Sequence, residues 1–158
     1  MLPLNIGTER ALQKIKHYCG YQERSHAEVR QKLYGFGLRK HEVETLLSQV
    51  IEEDYLNEER YAMAFAGGKF RIKQWGKVKI EHALKQKGVS SYSLKKAMAA
   101  IPEADYSATF KKLYRIKKQS LSAEKNIFVK RTKLRNYLLQ KGFEYFLVTA
   151  AFAEEDHK

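Results

Sequence analysis

Hydrophobic residues recur along this chain at the spacing of amphipathic helices. Apolar side chains stand three or four positions apart, as in Ala11, Ile15 and Cys19, and no useful length shows the β-branched alternation of a strand. The two prolines, Pro3 and Pro102, leave almost the whole interior free for helix. The pattern therefore predicts an all-α fold.

The hydrophobic pattern repeats three times, around Gly37, Gly88 and Gly142, which lie 51 and 54 residues apart. Counted from each glycine, apolar residues stand at −8 (Val29, Ile80, Leu134), −4 (Leu33, Leu84, Leu138), +1 (Leu38, Val89, Phe143), +6 (Val43, Leu94, Val148) and +10 (Leu47, Met98, Phe152). Positions −8 and −4 share one helix face, and positions +6 and +10 share a face of the next helix. We therefore expect each glycine to end the first of these helices in the left-handed conformation.

A further amphipathic helix precedes each pair, so each repeat is predicted to contain three helices. The predicted organisation is an N-terminal tail at residues 1–7 and three-helix repeats at residues 8–56, 57–106 and 107–158. One such repeat buries too little apolar surface to be stable alone, so neighbouring repeats should pack into an elongated, curved array. A globular bundle of the same helices is the alternative.

Capping residues support the predicted helix starts. Ser25 and Glu28 have the spacing of a capping box at the second helix. Asn57 can cap the helix that opens the second repeat, and Ser122 can cap the middle helix of the third.

Positive charge increases along the chain. The 158 residues carry thirty Lys and Arg against eighteen Asp and Glu, a formal net charge of +12. Residues 1–56 carry eight basic and eight acidic side chains, residues 57–106 carry ten and five, and residues 107–158 carry twelve and five. Such an excess predicts an anionic partner, which could be nucleic acid, a membrane surface or an acidic protein groove.

Much of this charge falls in two clusters. The first basic cluster is Lys69, Arg71, Lys73, Lys77 and Lys79 with Trp75, and the second basic cluster is Lys130, Arg131, Lys133 and Arg135. Lys77 and Arg131 both stand eleven residues before their glycine, and Lys79 and Lys133 both stand nine before. Equivalent cations on successive repeats predict a stripe that can follow a phosphate backbone, with an aromatic side chain for stacking. The alternatives are lysines that only solvate helix surfaces and a Trp75 that packs between repeats.

The junction of the first two repeats is acidic instead. The acidic cluster consists of Glu52, Glu53, Asp54, Glu58 and Glu59. These carboxylates would repel nucleic acid, so we expect them to meet a basic protein surface. Alternatively, they only favour the N-terminus of the next helix.

The sequence contains no recognisable catalytic motif. None of the five histidines belongs to an H-E-x-x-H pair, Gly67-Gly68-Lys69 lacks the spacing of a phosphate-binding loop, and Cys19 is the single cysteine. No segment approaches the ~20 consecutive apolar residues of a membrane span, and residues 1–7 do not look like a signal peptide. We therefore expect a cytosolic binding protein that is no enzyme, needs no cofactor or metal, and does not insert into a membrane.

The chain resembles the RecX family of regulatory proteins, which modulate the RecA recombinase. The resemblance rests on residues 25–33, residues 54–62 and residues 80–89, and the Lys141-Gly142-Phe143 turn fits as well. It extends from about Thr8 to about Phe152, and its most specific stretch is the Tyr-Leu-Asn-Glu-Glu-Arg-Tyr-Ala segment within residues 54–62. One departure is Lys77, because this family often has a proline at that position, directly after the glycine.

The resemblance implies a fold and a function. RecX proteins consist of three three-helix repeats, lodge in the groove of the RecA–DNA filament, suppress its ATPase and strand exchange, and bind DNA themselves. We accordingly expect both basic clusters to contact single- or double-stranded DNA, and Arg30 and the acidic cluster to contact RecA, with the chain acting as a monomer. A nucleic-acid-binding protein without a recombinase partner is one alternative, and an adaptor for an acidic protein is another.

Overall fold

The part of the chain that the computed structural model describes, residues 3–157, contains nine α-helices and no strand. The helices are α1 (Thr8–Tyr21), α2 (His26–Gly35), α3 (Lys40–Glu52), α4 (Glu58–Lys73), α5 (Lys77–Gln86), α6 (Ser91–Ala99), α7 (Glu103–Ser120), α8 (Ile127–Gln140) and α9 (Tyr145–Asp156). The predicted all-α fold is confirmed, and the helices follow one another in the predicted sets of three.

The chain forms two compact units. The first unit comprises Met1–Ala64 and Leu84–Lys96, and the second unit comprises Phe65–Ala83 and Ala97–Lys158. Helices α4, α5 and α6 each contribute to both units. The repeat boundaries stay a prediction; α7 already begins at Glu103, ahead of the predicted start of the third repeat at residue 107.

Helices α1, α2 and α3 enclose the core of the first unit. The apolar positions that define the predicted helix faces are buried there, and Ile6, Leu12, Tyr18 and Phe36 pack against them. The buried side chains are Ala11, Ile15, Cys19, Val29, Leu33, Leu38, Val43, Leu46, Leu47, Val50 and Leu56. Cys19 is thus a core residue, in agreement with its place in the apolar helix pattern, and burial raises the pKa of its thiol.

Aromatic rings form much of the core of the second unit. Tyr106 of α7 lies between Phe70 of α4 and Phe143, with centroid distances of 5.8 and 5.4 Å. The Phe110 ring contacts Phe143 edge-on at 5.2 Å. Because tilted and edge-on pairs are favourable arrangements for aromatic rings, this cluster ties α4 and α7 to the turn before α9.

The three repeat glycines have the left-handed conformation predicted for them. Their φ angles are +82° at Gly37, +78° at Gly88 and +99° at Gly142. Each follows the last turn of a helix, where the absence of a Cβ allows the chain to reverse at little cost. The apolar residue after each glycine is buried, so the turn returns the chain to the core.

Two of the three predicted caps are confirmed and one is wrong. The Ser25 hydroxyl accepts from the N–H of Glu28, whose carboxylate accepts from the N–H of Ser25. The Asn57 side chain accepts from the N–H of Arg60. Ser122 caps no helix, because it lies in the turn that follows α7; the cap of α8 is Asn126, whose side chain accepts from the N–H of Val129.

Candidate nucleic-acid interface

The first basic cluster lies around the short connection between α4 and α5, in the second unit. This connection is held by the turn between α8 and α9. The N–H of Gly76 donates to the carbonyl of Lys141 (2.7 Å), and the N–H of Val78 donates to the carbonyl of Gly142 (2.9 Å). A Cβ at Gly76 would collide with the backbone of Gly142 and Phe143, so this approach requires glycine. These contacts bring together residues from the two chain segments that form the second unit.

Trp75 is the centre of the first basic cluster. Its ring is half-buried, and the ammonium groups of Lys69 and Lys79 lie 4.8 and 4.5 Å from its centroid. Gln74, before it, has a φ of +57°, which turns the chain sharply at the end of α4. The indole therefore holds two cations in place through cation–π contacts.

Lys141 belongs to this cluster, although its sequence position did not suggest it. Its ammonium group donates to the carbonyl of Lys73 (2.7 Å). Burial lowers the pKa of Lys141, and the charges of Lys79 and Lys73 lower it further. The sequence held one weak signal, because a Lys-Gly pair recurs at residues 87–88 and 141–142.

Lys77 and Arg71 complete the first basic cluster. The backbone N–H of Lys77 donates to the hydroxyl of Tyr106 (2.9 Å), and its ammonium group lies 4.7 Å from the Tyr106 ring. The Tyr106 hydroxyl in turn donates to Glu144, and burial raises the pKa of that hydroxyl, as does the hydrogen bond to Glu144. The exposed Arg71 places its guanidinium over Gly67, where a side chain on the glycine would displace it.

The cations of the first basic cluster have no carboxylate partner among residues 3–157. No Asp or Glu oxygen in that range lies within 4.0 Å of the charged nitrogens of Lys69, Arg71, Lys73, Lys77 or Lys79, and the same holds for Lys141. The cluster therefore concentrates positive charge that the described part of the protein does not neutralise.

The second basic cluster lies in α8 and is partly neutralised. The Arg131 guanidinium makes two hydrogen bonds to Asp156, of 2.8 and 3.2 Å, and lies 4.9 Å from the Phe152 ring. Arg131 lowers the pKa of the Asp156 carboxyl through these contacts. Lys133 is 4.0 Å from Glu124.

Two cations of the second basic cluster differ from Arg131 and Lys133, because no carboxylate pairs with them in the described chain. Arg135 lies over the Phe152 ring at 5.5 Å, and Lys130 is half-buried. Both basic clusters lie in the second unit, but the first carries more unneutralised charge.

Most of the residues predicted to contact a protein partner have partners within the first unit. Glu58 accepts hydrogen bonds from the hydroxyls of Ser90 (2.5 Å) and Ser93 (2.8 Å). Burial raises the pKa of Glu58, but these hydrogen bonds outweigh it and leave the pKa below its usual value. This carboxylate therefore serves the start of α6, a contact that neither reading of the acidic cluster included.

The other residues that were predicted to contact a protein partner differ in whether they form an ion pair. Asp54 has a φ of +63° and pairs with Arg60 at 3.2 Å. The other pairs are Glu53 with Lys16 (3.3 Å) and Arg30 with Glu44 (2.9 Å). Glu52 and Glu59 form no ion pair in the described chain.

No metal-binding group or membrane span is found in the part of the chain that the structure describes. No cluster of three or more His, Cys, Asp or Glu residues there could hold a metal ion. Its helices are also too short or too polar to cross a membrane.

Comparisons with known proteins agree on one family. The family model for the second three-helix domain of RecX matches residues 57–98. A regulatory protein RecX from Prosthecochloris aestuarii is 27% identical over 139 residues, which cover 87% of each chain. A regulatory protein RecX from Clostridium perfringens is 32% identical over 119 residues, which cover 75% of this chain and 55% of that protein.

A solved structure supports the same fold. The crystal structure of RecX from Lactobacillus salivarius superposes with a TM-score of 0.83 over 96% of this chain and 97% of that one, at 20% sequence identity. At such low identity the likeness establishes the helical fold alone.

Proposed function

The chain belongs to the RecX family, and we propose that it is a regulatory protein that binds the RecA–DNA filament and inhibits the RecA recombinase and its ATPase. One observation carries this proposal: the cations around Trp75 have no carboxylate partner in the described chain, and three of them crowd together at Lys73, Lys79 and Lys141. Such a surface is suited to a DNA backbone.

Crowded cations favour phosphate for a physical reason. Burial lowers the pKa of Lys141, and the charges of Lys79 and Lys73 lower it further, so these neighbours repel its charged form. A phosphate placed among them would offset that repulsion and release the counterions of the DNA, which supplies most of the affinity of such contacts. Arg71, Lys69 and the second basic cluster would extend the contact.

Inhibition would follow from binding, without covalent chemistry or a cofactor. A monomer lodged on the filament would bridge neighbouring RecA protomers or block access to the DNA. In this proposal Arg30 and the acidic cluster face RecA. Glu52 and Glu59 are the members best suited to a partner, because no ion pair within the described chain occupies them.

A second candidate function is DNA binding without a recombinase partner. It is favoured by the hydrogen bonds of Glu58 to Ser90 and Ser93, and by the ion pairs of Asp54 and Arg30, since these give the acidic side chains and the arginine roles inside the first unit. The two candidates differ in affinity, because a filament modulator should bind a RecA filament more tightly than bare DNA.

A salt titration of single-stranded DNA binding tests the DNA surface. We expect the combined substitution Lys73→Gln, Lys79→Gln and Lys141→Gln to flatten the log–log salt dependence by about 2, since each phosphate contact on a single strand contributes about 0.7. Fluorescence anisotropy of a labelled oligonucleotide measures the binding constant at each salt concentration. The matched control, Lys95→Gln, Lys96→Gln and Lys111→Gln, removes the same charge from residues that we expect only to solvate helix surfaces.

Two outcomes of this titration would contradict the proposal. A slope near zero for the unsubstituted protein would exclude phosphate contacts altogether. An equal flattening by the control triple would show that net charge, and not the first basic cluster, determines binding. Repeating the titration with preformed RecA filaments separates the two candidate functions, because equal affinity for filament and bare DNA favours the second.

A further inference from the structure

The first unit has a cleft that none of the predicted site residues lines. It lies along α1 and α2, has a volume of about 440 Å³, and contains cationic and aromatic side chains but no carboxylate. The residues that line it are Gln13, Lys14, His17, Tyr18, Tyr21, Arg24, Lys32 and Phe36. Its size falls within the range of small-ligand sites.

Arg24, one of the residues that line this cleft, is held in place by its neighbours. Its Nε donates to the carbonyl of Tyr18 (3.0 Å), and its guanidinium carbon lies 3.8 Å from the Tyr18 ring centroid and 5.8 Å from that of Tyr21. Within residues 3–157 only Nε of this guanidinium makes a hydrogen bond, so the two terminal nitrogens keep their donors for a ligand. A fixed guanidinium with free donors suits a phosphate, which it can bind through two parallel hydrogen bonds.

Two lysines add charge to the same cleft. Lys32 lies 5.3 Å from the Tyr18 ring and 5.8 Å from the Phe36 ring, and Lys14 lies 6.0 Å from Phe36. No carboxylate of the described chain lies within 4.0 Å of the charged nitrogens of either lysine or of Arg24.

The acidic residues near the start of α2 are engaged elsewhere. Glu23 pairs with Arg60 at 2.7 Å, and Glu28 closes the capping box with Ser25. The charge of the cleft is therefore available to a ligand.

An exposed aromatic ring completes the arrangement. Tyr21, the last residue of α1, is 78% exposed, although an exposed ring of this size is unfavourable in water. A ring beside phosphate-binding cations fits a nucleotide, whose base can stack on the ring while its phosphate meets the cations. In a duplex the base faces are covered by their neighbours, so only an unpaired base can stack in this way.

We propose that the cleft formed by Tyr21, Arg24, Lys14 and Lys32 binds single-stranded DNA, with an unpaired base on Tyr21 and the adjoining phosphates on the three cations. The choice of DNA over RNA rests on the proposed function. The assignment of the cleft to a single-stranded nucleic acid rests on the side chains of the cleft and does not depend on that function. The proposal gives the first unit a nucleic-acid site of its own, whereas the neutral charge of residues 1–56 had favoured a protein partner for the first repeat.

Substitution of Tyr21 tests the stacking contact. We expect Tyr21→Ala to weaken binding of labelled oligo(dT) about 10-fold, because stacking of one base on an aromatic side chain accounts for an effect of that order. Tyr21→Phe should retain the affinity, and binding of a duplex of equal length should not change. Tyr34→Ala is the matched control, because Tyr34 is an exposed tyrosine of α2 that does not line the cleft.

The charge contacts have their own test. Lys14→Gln with Lys32→Gln should flatten the salt dependence of oligo(dT) binding by about 1.4, at about 0.7 for each phosphate. Lys40→Gln with Lys95→Gln removes the same charge from exposed positions of the first unit outside the cleft.

The same variants show what would overturn the proposal. Unchanged oligo(dT) affinity in Tyr21→Ala would remove the base contact, and with it the site. If Tyr21→Ala weakened the binding of oligo(U) but not of oligo(dT), the cleft would be assigned to RNA. If the variant weakened only the binding of poly-glutamate, the cleft would be assigned to an acidic protein. Failure of this proposal can be told apart from failure of the proposed function. If only the DNA surface of the proposed function is wrong, the triple variant at Lys73, Lys79 and Lys141 binds DNA normally, while Tyr21→Ala still loses affinity for oligo(dT).

Discussion

At the scale of single residues, the approach of two backbone turns determines which side chains are tolerated in the second unit. Gly76 and Gly142 lie where a Cβ would have no room, and Lys79 is the residue that a side chain on Gly142 would meet. Two members of the first basic cluster, Lys73 and Lys79, are brought to Lys141 by this contact. The packing of glycines therefore positions the charges that we propose to bind DNA.

We expect Gly142→Ala to destabilise the protein more than Gly88→Ala. Both glycines have positive φ, which costs an L-residue about 1–2 kcal/mol. Apart from its chain neighbours, no described residue lies within 4 Å of a Cβ at Gly88. A Cβ at Gly142 would overlap Lys79, and such overpacking costs about 1–3 kcal/mol more. Urea unfolding of both variants measures the difference, and equal losses would show that the turn relaxes freely.

A second residue-scale prediction concerns the hydrogen bond from the Lys77 N–H to Tyr106. Tyr106→Phe leaves that N–H without its partner, so we expect a loss of about 1–3 kcal/mol in the free energy of unfolding. In Lys77→Pro this N–H is absent, so there is no donor left to lose its partner. In that background Tyr106→Phe should cost less, by about 1 kcal/mol. Additive effects in this double-mutant cycle would mean that the hydrogen bond contributes nothing.

At the scale of helices, the sequence pattern predicts the middle and third helix of each repeat well, because their apolar positions are fixed relative to a glycine. The predicted cap of α8 was wrong for a local reason. Serine and asparagine are both residue types that favour the N-cap, and Ser122 and Asn126 both precede α8, so only the turn after α7 selects between them. Composition does not reveal where such a turn ends.

The cap assignment predicts unequal effects for two similar substitutions. We expect Asn126→Ala to lower the free energy of unfolding by about 1 kcal/mol, because the N–H of Val129 loses its acceptor. The exposed Ser122 caps nothing, so Ser122→Ala should have almost no effect. Thermal unfolding followed by circular dichroism measures both, and a larger loss for Ser122→Ala would contradict the assignment of the cap.

At the scale of the whole molecule, the candidate site was predicted in part. The first basic cluster is visible as a run of lysines in the sequence. Lys141 was missed because it joins Lys73 only through tertiary structure, and the pairing of Arg131 with Asp156 was missed for the same reason. The cleft around Tyr21 was also missed, since residues 1–56 are neutral as a whole and net charge does not report a local cluster.

The rate of ATP hydrolysis by preformed RecA filaments on single-stranded DNA tests the central claim most directly. The protein should lower this rate in proportion to the amount bound. The Lys73→Gln, Lys79→Gln and Lys141→Gln triple should need about ten times more protein for half-maximal inhibition, because its phosphate contacts are lost. The Lys95→Gln, Lys96→Gln and Lys111→Gln control should inhibit like the unsubstituted protein. An unchanged hydrolysis rate at saturating protein would contradict the proposed function.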